Sequence, residues 1–169
     1  MSQLSRRSVL LAVPATTLPL AATGAASATP TDKAANIITF TGRRVQATLP
    51  NLSPVAPALG TTFIAYLNLI DAAGKSIGDG SVSGAIVDII PAIPPKLVTQ
   101  VSVIFRLTDG EIHCTNMHIR VIPNPGVTHL IAITGGTGAY RTARGSGTIE
   151  HVTDTDTTVV LNVMVDPPA

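Results

Sequence analysis

The sequence predicts an all-β protein, an eight-stranded antiparallel β-barrel, from three observations. After residue 36, no stretch of ten or more residues has the periodicity of a helix. Runs rich in Val, Ile, Thr and Phe alternate with Gly, Pro, Asn or Asp, which is typical of strands joined by turns. Several runs, such as residues 63–67 and 159–163, are apolar on both faces, as expected when one face lines a lumen and the other packs against a neighbouring subunit. A sandwich is the alternative, but we favour a barrel, since closure also removes unprotected strand edges.

Turn-forming and proline-rich segments mark where the individual strands begin and end. Residues 71–75 form one turn, and Thr108-Asp109-Gly110 is a hairpin signal in which glycine supplies a positive φ. Residues 50–57 and 91–95 are too rich in proline to lie inside a sheet. The predicted strands are residues 37–49, 62–70, 81–90, 98–108, 111–121, 129–134, 145–151 and 157–165.

The N-terminus has the three parts of a secretory signal peptide. Arg6 and Arg7 precede an apolar run at residues 9–13, and Ala-Ser-Ala closes the segment at residues 26–28. The paired arginines are close to the twin-arginine export pattern. The alternative is a membrane anchor, but prolines and threonines interrupt the run well before the roughly 20 apolar residues that a span needs. We therefore expect export by the twin-arginine route and no membrane anchor.

These features divide the chain into three parts and place the mature protein outside the cell. The predicted parts are a signal peptide at residues 1–28, a disordered lead at 29–36 and the barrel domain at 37–169. Removal of the signal peptide leaves about 140 residues, which is one domain. The expected location is secreted, or extracellular.

The composition of the mature part excludes some classes of function. Without Arg6 and Arg7, the 11 Lys and Arg residues of the chain fall to nine, against ten Asp and Glu residues. There is no basic stripe and aromatic residues are only 3% of the chain, so no nucleic-acid partner is expected. Cys114 is the only cysteine and cannot form an internal disulfide. Charged residues are only 12%, which indicates surface hidden in a subunit contact, a ligand cavity or both.

The most informative motif is the glycine-rich string at residues 133–148, Ile-Thr-Gly-Gly-Thr-Gly-Ala-Tyr-Arg-Thr-Ala-Arg-Gly-Ser-Gly-Thr. A nucleotide-binding loop would require a helix after the glycines, and here the chain continues as a strand. The string instead resembles the Gly-Gly-Thr-Gly-x-(Phe/Tyr)-x-x-Ala-Arg-Gly pattern of the dirigent proteins and the related allene oxide cyclases. Weaker matches at residues 60–63, 69–78 and 104–112 extend the resemblance over most of residues 60–165.

The resemblance implies a fold and two kinds of activity. The fold is an eight-stranded antiparallel barrel, usually a homotrimer, with an apolar cavity along its axis. Allene oxide cyclases steer the ring closure of a reactive small molecule, and dirigent proteins orient intermediates that other enzymes make. Neither activity needs a metal or an organic cofactor, so none is expected. The glycine motif itself is expected to serve a structural turn, with Tyr140 packed beneath it and Arg144 bonded to a carbonyl or a carboxylate.

The candidate catalytic residues come from the resemblance and from strand parity. Plant dirigent proteins carry a functional Arg where this sequence has His129, and a further cavity position falls near His151. Two imidazoles suit acid–base chemistry near neutral pH, although both could simply lie in solvent at strand ends. A polar cluster of Arg106 or Arg120 with Tyr66 inside the lumen is the other hypothesis. Its alternative is that the polar strand faces are solvated.

Further residues are candidates for ligand contact, and the histidines argue against a metal site. The candidate ligand-binding residues are Phe63, Asn68, Asp88 and Phe105. The four histidines are scattered, and His113 and His118 have opposite parity on one strand.

The function that the sequence predicts is a cofactor-independent, stereo-directing cyclase or isomerase for a hydrophobic small molecule in specialised metabolism. The alternative is a non-catalytic secreted barrel that binds or carries such a molecule. A third interpretation is a structural or surface-interaction protein whose lumen is filled by its own side chains.

Overall fold

A computed structural model describes residues 35–48, 58–93, 95–121 and 126–166. The eight strands form a closed antiparallel barrel in sequential order, and β8 pairs with β1, so the predicted fold is confirmed. The predicted signal peptide lies outside the described residues. The elements are β1 Asn36–Ala47, β2 Thr62–Ile70, β3 Ser76–Ile90, β4 Lys96–Leu107, β5 Gly110–Arg120, β6 Thr128–Gly136, a 3₁₀ helix at Gly138–Tyr140, β7 Arg144–His151 and β8 Asp156–Met164.

Strand β3 differs most from the prediction, because it begins at Ser76 rather than residue 81. The five added residues include Gly78 and Gly80, and glycine normally argues against a strand. Here the glycines permit close packing, since a Cβ on Gly80 would lie 3.0 Å from the carbonyl oxygen of Ile104 and 3.3 Å from the Phe105 ring. The glycines therefore belong to the barrel wall rather than to the preceding turn.

The barrel has two chemically different ends. One end, which we call the motif end, holds the connections β2–β3, β4–β5 and β6–β7 and thus the glycine-rich string. The opposite end, which we call the histidine end, holds the connections β1–β2, β3–β4, β5–β6 and β7–β8. The antiparallel order places every proline-rich connection of the sequence at the histidine end.

The lumen is filled by apolar side chains over its middle and its motif end. Leu69, Phe105, Ile112 and Leu161 are fully buried, and Phe40 meets Phe105 edge to face with ring centroids 5.0 Å apart. An apolar cavity along the whole axis, which the resemblance implies, is therefore not what the structure has.

The outer wall also carries apolar side chains. This agrees with the sequence, in which several strands are apolar on both faces. Leu130 is 77% exposed, Met117 70% and Ile64 58%. The homotrimer that would cover such a wall stays a prediction. Within the part of the chain that the structure describes, no helix is long and apolar enough to span a membrane.

Candidate functional site

The inner face of β5 turns polar towards the histidine end. Cys114 is fully buried in the core, and the alternation of the strand then points Asn116, His118 and Arg120 to the same side. The sequence left open that this polar face is the solvated one. That alternative is wrong, because the core residue Cys114 fixes the face as the lumen side.

Three histidines from three neighbouring strands meet inside this end of the lumen, and we call them the histidine cluster. They are His118 on β5, His129 on β6 and His151 on β7. The rings of His118 and His129 are tilted by 34° with centroids 4.1 Å apart, and those of His129 and His151 lie 5.9 Å apart, edge to face. His129 is only 8% exposed, so the alternative that these histidines lie in solvent is wrong for it.

Both ring nitrogens of His118 have a polar neighbour in the lumen. Asn116 donates its side-chain N–H to the carbonyl of Leu130 over 3.2 Å, and its Oδ1 lies 3.4 Å from His118 Nδ1. His118 Nε2 lies 3.3 Å from the Thr99 hydroxyl, which donates to the main-chain carbonyl of His118 over 3.4 Å. The neutral ring carries a proton on one of these two nitrogens, and the other is its basic nitrogen. On the other side of the cluster, His151 Nδ1 lies 3.2 Å from Thr157 Oγ1.

Burial keeps the histidine cluster uncharged at neutral pH. Desolvation, together with smaller contributions from the neighbouring His129, His151 and Arg120, lowers the pKa of His118 to about 4. Desolvation, Arg120 and His129 likewise lower the pKa of His151 to about 4. The pKa of His129 is lowered by burial and by Arg120. The cluster is a set of neutral imidazoles beside a fixed positive charge.

Arg120 supplies that positive charge at the edge of the cluster. It faces Leu97 across the β4–β5 ladder, and burial together with the charge of Arg44 lowers its pKa. Its Nε is buried and has no hydrogen-bond partner among the described residues. A buried donor of a charged group that is left unpaired costs free energy, so this nitrogen is a vacant binding position for an acceptor.

Two predicted catalytic residues lie on the outer wall instead. The Tyr66 hydroxyl donates to Asp79 over 3.0 Å, and Arg106 donates to both oxygens of Asp79 over 2.9 and 2.6 Å. The side chain of Arg106 is 61% exposed, and Tyr66 is 43% exposed. The hypothesis that Tyr66 and Arg106 meet inside the lumen is therefore wrong. They do form one polar cluster, but on the opposite face of β2 and β4 from the core.

The predicted ligand-binding residues are also separated by strand parity. Asn68 lies on the outer face, where its Oδ1 accepts from Ser76 over 2.7 Å. Asp88 is exposed beside a bulge of β3 and accepts from the N–H of Ile89 over 2.8 Å. Phe105 lies in the filled core, away from the histidine end. Phe63 is buried with its ring over Gly84, in the ladder row that leads through Val101 to Asn116 on β5, and it is the ligand candidate that remains on the inner face towards the histidine end.

Sequence reasoning missed three residues of the histidine end. His118 has the same strand parity as the candidate Arg120, and that shared face is the signal in the sequence that could have found it. Thr99 is buried in register with His118, yet it stands in an ordinary apolar strand pattern. Arg44 precedes a bulge of β1, which the sequence does not reveal, and its register partner is the core residue Leu67.

The glycine motif lies at the opposite end and has the structural role that was expected. Tyr140 packs against the core, and Arg144 forms a two-pronged ion pair with Asp166 at 2.9 and 2.8 Å. A side chain on Gly136 would overlap the carbonyl oxygen of Glu111. Across the described ranges, no group of three or more His, Cys, Asp or Glu residues is arranged to hold a metal ion.

The buried histidines predict an acid-sensitive fold. The pKa of His118 is about 4 in the folded protein against about 6.5 in the unfolded chain, so the unfolded state binds more protons between these values. The stability that neutral His118 contributes is therefore fully present above pH 6.5, and it is lost as the pH falls towards 4. We expect a loss of roughly 2 kcal/mol over this range, allowing for partial exposure of the ring.

Thermal melts of the protein from pH 7 to pH 4 measure this effect. The variant His118→Gln is expected to flatten the dependence of Tm on pH, whereas His113→Gln, on the outer face of the same strand, keeps the wild-type dependence. Equal slopes for His118→Gln and the wild type would show that His118 is not a cause of the acid sensitivity.

Comparison with known proteins shows the fold. No protein-family model matches the chain, and no curated protein matches it in sequence. Among solved structures, it is similar to a pyocyanin demethylase, with a TM-score of 0.64, 20% identity, and coverage of 76% of this chain and 100% of that one. It is also similar to AbnU, an exo-specific intermolecular Diels-Alderase, with a TM-score of 0.56, 17% identity, and coverage of 76% and 98%.

A third solved structure is a nonspecific heme-binding cyclase that catalyses [4 + 2] cycloaddition during neoabyssomicin biosynthesis, with a TM-score of 0.61 and 17% identity over 79% of this chain and 68% of that one. These likenesses support the barrel that the resemblance to dirigent proteins and allene oxide cyclases implies. Membership of that family stays a prediction.

Proposed function

We propose that the protein is a cofactor-independent cyclase or isomerase that binds a hydrophobic small molecule at the histidine end of the barrel. One observation carries the proposal: three neutral imidazoles and an arginine with a vacant donor converge inside the lumen from three neighbouring strands. A core that only had to be stable would hold apolar residues here, because desolvated polar groups cost free energy. The free-energy cost of burying the histidine cluster and Arg120 is explained if these groups act on a ligand.

The histidine cluster is suited to moving a proton within a bound molecule. The unprotonated ring nitrogen of His118 can accept a proton, and a second imidazole 4.1 Å away, centroid to centroid, can exchange it at another position. Because the pKa of His118 is about 4, its imidazolium returns a proton readily. An isomerisation or ring closure needs such a return, since the product has the same composition as the substrate.

Arg120 is the proposed stabiliser of negative charge that develops on the substrate. Its Nε is buried and has no hydrogen-bond partner in the described part of the chain, so no bond within that part has to break before it donates to an oxyanion. Burial strengthens that interaction, because little water screens it. The histidine cluster and Arg120 are thus assigned complementary roles, proton transfer and charge stabilisation.

The filled part of the lumen is proposed to act as a floor that restricts the conformers of the substrate. Thr99 is buried in register with His118, and Phe63 is buried in the ladder row that leads to Asn116, which gives the floor one polar and one apolar residue. Restriction of a flexible chain on such a surface lowers the entropic barrier to ring closure. Solved barrels of this fold include two cyclases by description, which agrees with the proposal.

Binding without turnover is the second candidate function, and the low basicity of the cluster favours it. An imidazole with a pKa of about 4 is a weak base at neutral pH. A secreted carrier would use the same groups as hydrogen-bond donors and acceptors only. Turnover of the bound compound separates the two candidates.

The test begins with native mass spectrometry of the protein purified from the medium of its own exporting host. The mass of the chain, of any trimer and of any bound compound would test export, assembly and ligand binding together. The released compound and its synthetic linear precursors are then incubated with the protein, and products are compared with a no-protein control by chiral chromatography. We expect one stereoisomer in excess only with protein.

Substitution of the cluster gives the matched test of catalysis. His118→Gln and His129→Gln are expected to lower kcat/KM by about 100-fold or more, the usual contribution of acid–base catalysis. His113→Gln is the control, since His113 lies on the outer face of the same strand beside Glu111, 3.2 Å away. Ligand binding with no turnover would favour the carrier, and full activity in both cluster variants would overturn the proposed site.

A further inference from the structure

The histidine end combines a basic centre with an apolar rim. Arg120 and Arg44 bring positive charge to the lumen, and this charge lowers the pKa of His151 in the cluster. Thr99 and Thr157, from β4 and β8, are neutral. Asp156, at the same end, pairs with Arg43 over 3.1 Å, and no described carboxylate is among the groups that shift the pKa of Arg120.

The rim around this centre is made of exposed hydrophobic side chains. Each of the four connections at the histidine end contributes one described residue, at Leu59, Ile93, Val127 and Val152. Leu59 is 69% exposed and Ile93 is completely exposed. Large apolar side chains at the mouth of a lumen are typical of a site for a molecule with an apolar body.

We infer that the histidine end binds an amphipathic organic anion, with its acidic oxygens on Arg120 and its apolar body against the rim. This inference rests on the proposed function and narrows its substrate class. The guanidinium presents planar N–H donors that match the two oxygens of a carboxylate. Arg120 Nε is the specific vacancy that such an oxygen fills.

The histidine cluster strengthens the preference for an anion. An anion placed on Arg120 offsets the positive charge that depresses the protonation of His118, His129 and His151. Binding should therefore be accompanied by proton uptake near pH 5–6, which lies between the pKa of about 4 and the ordinary value for histidine. A neutral ligand offers no such coupling.

The first test compares two fluorescent probes with the same apolar body. 8-Anilinonaphthalene-1-sulfonate carries an acidic group that N-phenyl-1-naphthylamine lacks, and the absence of tryptophan from the chain leaves their emission free of indole fluorescence. We expect the anionic probe to bind at least about ten-fold more tightly, the effect of one or two charge-assisted hydrogen bonds. Decanoate should displace it, and decanol should not do so at the same concentration.

Variants and spectroscopy then locate the site. Arg120→Gln should remove the preference for the anion, whereas Arg106→Gln, on the outer wall, should retain it. In the NMR spectrum, decanoate should shift the ring resonances of the histidine cluster and leave those of His113 unchanged.

The outcomes separate this inference from the proposed function. Equal affinity for the two probes, or an anion preference that survives Arg120→Gln, would overturn the inference and leave binding of a hydrophobic molecule intact. Failure of both probes to bind would contradict the proposed function as well.

Discussion

Replacement of Phe105 with alanine is expected to lower the free energy of unfolding by about 3–5 kcal/mol, the cost of truncating a large aromatic residue in a packed core. Phe105 is fully buried on β4, and its ring meets Phe40 edge to face at 5.0 Å. The barrel cannot collapse around the vacancy, because its radius is set by eight hydrogen-bonded strands. Urea unfolding at pH 7 measures the effect.

The neighbouring residue provides the control for this prediction. Ile104 precedes Phe105 on β4 but points to the outer wall and is only partly buried. We expect Ile104→Ala to cost less than about 1 kcal/mol, since its surroundings remain partly solvated. If the two variants were equally stable, Phe105 would not be part of a closely packed floor.

Replacement of Gly136 with alanine is expected to be as damaging, at about 3–5 kcal/mol, through overlap rather than through a cavity. A Cβ at this position would overlap the carbonyl oxygen of Glu111 and lie 2.6 Å from the carbonyl oxygen of Tyr140. The contact cannot relax easily, because Thr137 donates its N–H to Glu111 over 2.9 Å and accepts from the Glu111 N–H over 3.1 Å. Chemical unfolding of the purified variant gives the value.

Gly74 separates overlap from backbone strain in this comparison. It has a positive φ of 81°, and a Cβ there would have no atom within 4 Å. Gly74→Ala should cost only about 1–2 kcal/mol, the penalty of a left-handed conformation for alanine. A Gly136→Ala variant no less stable than Gly74→Ala would mean that the glycine motif is not required by close packing.

The barrel was predictable from the sequence because its signals are local. Alternation of strands and turn residues gives all eight strands, with bounds within a few residues except at the start of β3. The direction of each side chain was not predictable for strands that are apolar on both faces. In β2, the run Phe63-Ile64-Ala65-Tyr66-Leu67 offers no difference between the faces, so Tyr66 could be placed on the wrong side.

The candidate site was predictable only in part, since it is assembled by the closure of the barrel. His129 and His151 were proposed from a family resemblance, and Arg120 from the polar face of β5. The contact of His118 with His129 depends on the pairing of β5 with β6 and on its bulge, which no local pattern encodes. Arg44 continues the inward alternation of Phe40 and Gly42 on β1, but it reaches the same region only because the closed barrel brings β1 to the cluster.

The positions of the first and last strands have a practical consequence for tethering the protein to a surface or fusing it to another protein. The chain enters β1 at Asn36 and leaves β8 at Met164, both at the motif end, where Asn36 is in register with Val163. The histidine end lies roughly 20 Å away along the barrel, from the rise and tilt of its strands. A surface tether or a fused partner joined directly before β1 or directly after β8 would therefore be attached at the end of the barrel opposite the histidine cluster.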